Sequence, residues 1–122
     1  MVDSCGTSNY HIGDLPDDRT RRNAERNGVI LDHRGRQLSI DDLDYFDFIL
    51  AMDHSNINNI LKLTEDLSVQ NKVMLMREFD ADKGEEVPDP YYGDEDGFQE
   101  VFDILDRSID GFIIHLQSKG LL

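Results

Sequence analysis

The apolar run from Phe48 to Met52, closed on either side by Asp47 and Asp53, limits the fold more than any other stretch. A strand with one wet face alternates apolar and polar residues. An uninterrupted apolar run suits a strand covered on both faces, as in a parallel sheet. KVMLM at 72–76 has the same character. Between the two runs, Ser55 stands where it can cap a helix, NINNILKLTED, with Ile57, Ile60, Leu61 and Thr64 at core spacing. The clearest helical period comes last: Phe98, Val101, Phe102, Leu105, Ile109, Phe112 and Leu116 recur at steps of three and four, with Asp94 or Asp96 as the cap. Earlier in the chain, VDS reads as the end of a short strand. RTRRNAERN reads as a polar, peripheral helix capped by Asp17 or Asp18, ended by Gly28 and buried only along Thr20 and Ala24. Ser39 and Asp42 have the form of a capping box over SIDDLDY. Strand and helix alternate, which predicts an α/β fold: a parallel sheet flanked by helices.

At 122 residues the chain fits a single domain, 1–122. A net charge of −14 disfavours nucleic acid and anionic membranes as partners, since both would repel it. No apolar run approaches the about 20 residues that span a bilayer, and the first ten residues lack a signal-peptide pattern. Cys5 is the only cysteine, so no internal disulfide can form and a cytoplasmic location is expected.

The acidic loop REFDADKGEEVPDPYYGDED is long for a connection, at about 20 residues, and loops of that size usually have a task. Within it Asp89 is clamped between Pro88 and Pro90. It is either a general acid or an ordinary turn aspartate, since Asp-Pro commonly opens turns. Tyr91 and Tyr92, next to it, are either a substrate wall or loop packing. Ligands of parallel sheets bind at the carboxyl ends of strands. VPDPYYG follows one predicted strand and CGTSNYHIG another, which puts both on one edge.

No metal or cofactor is expected. A calcium loop ending near Asp103 would need a ligand where Tyr92 stands, so Asp94, Glu95 and Asp96 read as caps and solvated surface. His11, His33 and His54 show no metal spacing and read as structural. Cysteine nucleophiles of phosphatases sit in Cys-x5-Arg, where backbone amides and the arginine cradle the phosphate. The residue six after Cys5 is His11, so Cys5 reads as a small buried residue.

Taken in order, VDSCGTSNYHIGDLPDDRT, DHRGRQ, FDFILAMDHSNI and VPDPYYGDEDGFQEVF resemble the low molecular weight protein tyrosine phosphatase family. Arsenate reductases share that family's fold, but the double tyrosine after Asp-Pro is similar to the phosphatase branch. The resemblance implies a three-layer, phosphotyrosine phosphatase I-like fold and hydrolysis of a phosphotyrosine protein or small aryl phosphate through a cysteinyl-phosphate. It makes Asp89 the general acid, Tyr91 and Tyr92 one wall of the pocket, and Tyr10 the aromatic residue opposite. Asp53 and His33 become buried polar supports behind the phosphate loop. The family pattern opens with a strand, a Cys-x5-Arg-Ser loop and a helix ahead of the segment matching VDS, and these 122 residues contain no such loop. The expectation is therefore a domain without its central first strand, inactive alone, loosened and able to self-associate through exposed sheet edges. The alternative is a non-catalytic scaffold or binding protein derived from the phosphatase fold.

Overall fold

The computed structural model describes residues 1–82, 86–90 and 95–122. Two strands, β1 (Ile49–Ala51) and β2 (Val73–Leu75), run parallel with Ile49 opposite Val73 and Ala51 opposite Leu75. Both are shorter than their apolar runs. The carbonyl of Met52 turns aside to accept the Val87 N–H at 2.8 Å, and Met76 begins a 3-10 turn, Met76–Phe79.

Because side chains alternate across a strand, β1 feeds two cores. Ile49 and Ala51 join Leu43, Ile60 and Val69 from α2 (Ile40–Tyr45), α3 (His54–Leu61) and α4 (Leu67–Gln70). Leu50 points the other way, against Met76, Val87 and Ile104, the last from α5 (Glu95–Ser118). The expectation of an α/β fold whose small parallel sheet lies between helices is met. Leu43, at 1% exposure, is the best buried member of the first core and contributes about 2–3 kcal/mol by burial.

Local capping follows the short polar residues. Asp17 accepts the Arg19 N–H at 2.8 Å and opens α1 (Asp18–Arg26), and Gly28 at φ 84° ends its run. Ser39 and Asp42 form the expected capping box of α2. The cap of α3 is Asp53, whose Oδ1 accepts the Asn56 N–H at 2.8 Å, and Ser55 lies inside the helix. The cap therefore lies two residues before the expected one, because the Asp53 carboxylate meets the Asn56 amide first. Asp94 lies outside the described residues, and Asp96 falls within α5.

The first residues differ from expectation. Among the described residues VDS forms no strand. Gly6 alone bridges to Gln37, donating its N–H to the Arg36 carbonyl at 2.9 Å and accepting from Leu38 at 2.8 Å. Arg36 secures this segment through Asp3 at 3.1 Å and a bidentate pair with Asp42 at 2.9 and 3.0 Å. Cys5 is exposed instead of buried, since a single bridge gives it no sheet to pack in.

The helix α5 binds the molecule together. Against α1, Gln99 accepts from Asn23 at 2.9 Å, and the Arg19 guanidinium lies 4.8 Å from the Phe98 ring centre. Against the 3-10 turn, its contact line runs through Ile104, Ser108 and Gly111, while Ile109 is 46% exposed. Beyond it Phe48, Phe79, Phe112 and His115 form a ring cluster, edge-to-face except for the tilted pair of Phe79 and His115. No described helix is long and apolar enough to cross a membrane.

Candidate active site

The loop that carries Asp89 leaves the sheet after β2 and returns to the carboxyl end of β1. The Val87 N–H bonds the Met52 carbonyl at 2.8 Å, and the Glu86 carboxylate accepts the His54 N–H at 2.8 Å, at the first turn of α3. An anion suits that position, because the first amides of a helix lack partners and carry its positive dipole end. Val87 is buried beside Met76 and Ile104. Two residues later Asp89 is exposed and has an interaction partner of its own. Asp53, half-buried, stands next to the same tether. The structure thus gathers Asp53 and the Asp89 loop at one strand end. Tyr91 and Tyr92 lie outside the described residues.

Tyr10 and His33 belong to a second group. The loop after Gly6 is stitched to residues 34–35: Gly13 N–H to Gly35 carbonyl at 2.7 Å, Gly35 N–H to Asp14 carbonyl at 2.7 Å, and Arg34 to the Gly13 carbonyl at 2.9 Å. A side chain at Gly35 would overlap the His11 carbonyl, so only glycine permits this approach. Tyr10 stands 83% exposed on this loop. His33 is exposed rather than buried, as are His11, which is 3.2 Å from Asp14, and His54. The Cys5 thiol is raised above its ordinary pKa by the atoms crowding its sulfur, with Arg36 opposing. A shift in that direction works against the thiolate that a nucleophile requires.

A group of charges absent from the sequence reading holds the base of the loop. Asp80 is covered from solvent by two guanidiniums: Arg107 of α5 pairs with it at 3.0 and 3.3 Å, and Arg77 at 3.3 Å. The hydrogen bond from Arg107 holds the Asp80 carboxyl below its usual range, and Arg36 does the same for Asp42. Serine and arginine hydrogen bonds lower Asp66 and Asp17. Each of these carboxyls binds its proton less readily when folded than when unfolded, where the value is about 3.9. Their stabilisation is complete above that value and is lost as pH falls through the lower folded ones. In about 0.5 M salt, which screens the net charge, the melting temperature should fall steeply from pH 5 to pH 2.5. A flat profile would contradict the assignment.

A family model for the low molecular weight phosphotyrosine protein phosphatases matches residues 1–121. The chain belongs to that family. Two of its fungal members are similar in sequence. The low molecular weight phosphotyrosine protein phosphatase of Saccharomyces cerevisiae is 39% identical over 104 residues, covering 83% of this chain and 64% of its own. That of Schizosaccharomyces pombe is 44% identical over 103 residues, covering 83% and 65%. The chain therefore spans just under two thirds of the length of these relatives. Among solved structures, a protein tyrosine phosphatase from Entamoeba histolytica, with Hepes in its active site, superposes with a TM-score of 0.91 at 38% identity. That match covers 98% of this chain and 76% of the amoebal one.

Proposed function

We propose that these residues form the acid-loop side of a phosphotyrosine phosphatase site. The observation that carries this reading is the Pro-Asp-Pro unit moored at the carboxyl end of β1, in a chain of this family. Asp89 protonates the tyrosyl oxygen as it leaves and then activates water on the cysteinyl-phosphate. Tyr91 and Tyr92 wall the pocket, Tyr10 faces them, and Asp53 and His33 support the phosphate loop. The substrate is a phosphotyrosine protein or a small aryl phosphate.

The nucleophile and anion cradle come from a Cys-x5-Arg loop outside these 122 residues, together with a central strand and a helix. Cys5 does not replace them, because His11 stands where the arginine would be and the surroundings of the thiol raise its pKa where a nucleophile needs it lowered. A lone cysteine fits a cytoplasmic location, and the open edges of the two-stranded sheet suit pairing between copies in the absence of that strand. The test is turnover of p-nitrophenyl phosphate by the 122-residue chain with and without a peptide supplying strand, Cys-x5-Arg loop and helix. Turnover is expected only with the peptide. Turnover by the chain alone, abolished by Cys5→Ser, would overturn the reading.

A further inference from the structure

The neck of the Asp89 loop is bridged by one side chain. Arg77 donates from Nη2 to the Asp82 carbonyl on the outgoing limb at 3.1 Å and from Nη1 to the Glu86 carbonyl on the returning limb at 3.2 Å. Its Nε donates to Asp80 Oδ2 at 3.3 Å, and Asp80 is fixed in turn by Arg107 from α5. All three nitrogens of a planar fork are thus engaged, a geometry that the single point charge of lysine does not reproduce. The side chain is only 16% exposed.

We propose that Arg77 is a positioning residue that sets where Asp89 stands. The path is short. Arg77 holds the Glu86 carbonyl, the next residue is tied to β1 through the Val87 N–H, and the Glu86 carboxylate is tied to α3 through the His54 N–H. From Val87 the chain passes through Pro88, Asp89 and Pro90, and each proline ring fixes its own φ. Displacement of the neck is therefore carried toward Asp89, because the two prolines and their effect on the residues before them leave few backbone rotations to absorb it. The inference rests on Asp89 as the acid, and a misplacement of about 1 Å can cost a catalytic group on the order of 100-fold in rate.

Two measurements separate the proposal from the reading beneath it. In the 122-residue chain, Arg77→Lys and Arg77→Met should speed hydrogen exchange at the Val87 and His54 amides by about tenfold. The Ile49 amide, bonded to Lys72 in the sheet, should be unchanged. Equal acceleration at Ile49, or none at Val87, would overturn it. In the enzyme carrying its nucleophile loop, Arg77→Lys should lower kcat for phenyl phosphate about tenfold, with KM unchanged and p-nitrophenyl phosphate less affected. The same substitution should cost nothing further in an Asp89→Ala background, and full additivity there would count against the proposal. If Asp89→Ala itself leaves turnover unchanged, the acid assignment fails while the exchange result still judges the brace.

Discussion

Gly111→Ala should unfold the protein about 10 °C earlier than its parent, although alanine is the better helix former. Propensity alone predicts a gain of about 1 kcal/mol in a helix interior. A methyl group at this position, however, would overlap the carbonyl oxygen of Phe79, and that atom belongs to backbone and not to a flexible side chain. Relief requires α5 to move away from the 3-10 turn. Such a move would loosen Ile104, at 3% exposure, and Ser108, fully buried with its hydroxyl on the Ile104 carbonyl at 2.7 Å. Overpacking of this kind costs about 1–3 kcal/mol and sometimes more. An overlap with backbone belongs at the upper end of that range, and with propensity subtracted a loss of about 2 kcal/mol remains, equivalent to roughly 10 °C for a domain of this size. Ile114→Ala, at a 65% exposed position on the same helix, is the control and should change little. An unchanged or higher melting temperature for Gly111→Ala would refute the packing described for α5.

That contact also shows how far the sequence could be read. The apolar period of the last helix marked its extent and most of its buried face, because long apolar side chains announce themselves. Ser108 and Gly111 pack by being small, and nothing in a hydrophobic pattern signals that, so Ile109 was placed on the face that they occupy. The runs at 48–52 and 72–76 identified both strands, but their ends were set by bonds to distant residues: Val87 on Met52, and the turn that captures Met76. VDS was short enough that its pairing decided its state, and among the described residues the bridge forms just beyond it, at Gly6. The Asp89 loop was recognisable from its prolines and tyrosines. Its anchors were not, since Asp80 and Arg107 are 27 positions apart and Arg77 looked like any surface charge beside a strand. An aspartate directly after the buried Met76 turn was the one available hint.

Asp89→Ala, in the enzyme carrying its nucleophile loop, should reduce turnover by about 10²–10⁴-fold, the usual contribution of general acid–base catalysis. The corresponding loss of transition-state stabilisation is about 2.7–5.5 kcal/mol. Asp89 has the accessibility such a role requires, and its neighbours have the rigidity: Val87 is buried, Pro88 and Pro90 flank the carboxylate, and the tether to Met52 is 2.8 Å long. A carboxylic acid that protonates a departing oxygen matters most when that oxygen is basic. A group that merely shapes the loop would affect every substrate alike. Asp89→Asn, close in shape and unable to deliver the proton, separates the two roles and should behave like the alanine variant.

The decisive measurement is therefore the dependence of kcat on leaving-group pKa, taken across a series of aryl phosphates from p-nitrophenyl to phenyl, for the parent and for Asp89→Asn. The parent should be nearly insensitive to the leaving group, while the variant should fall steeply as the leaving oxygen becomes more basic. Parallel lines, with the same loss for p-nitrophenyl and phenyl phosphate, would show that Asp89 does not deliver the proton and would contradict the role assigned to this loop.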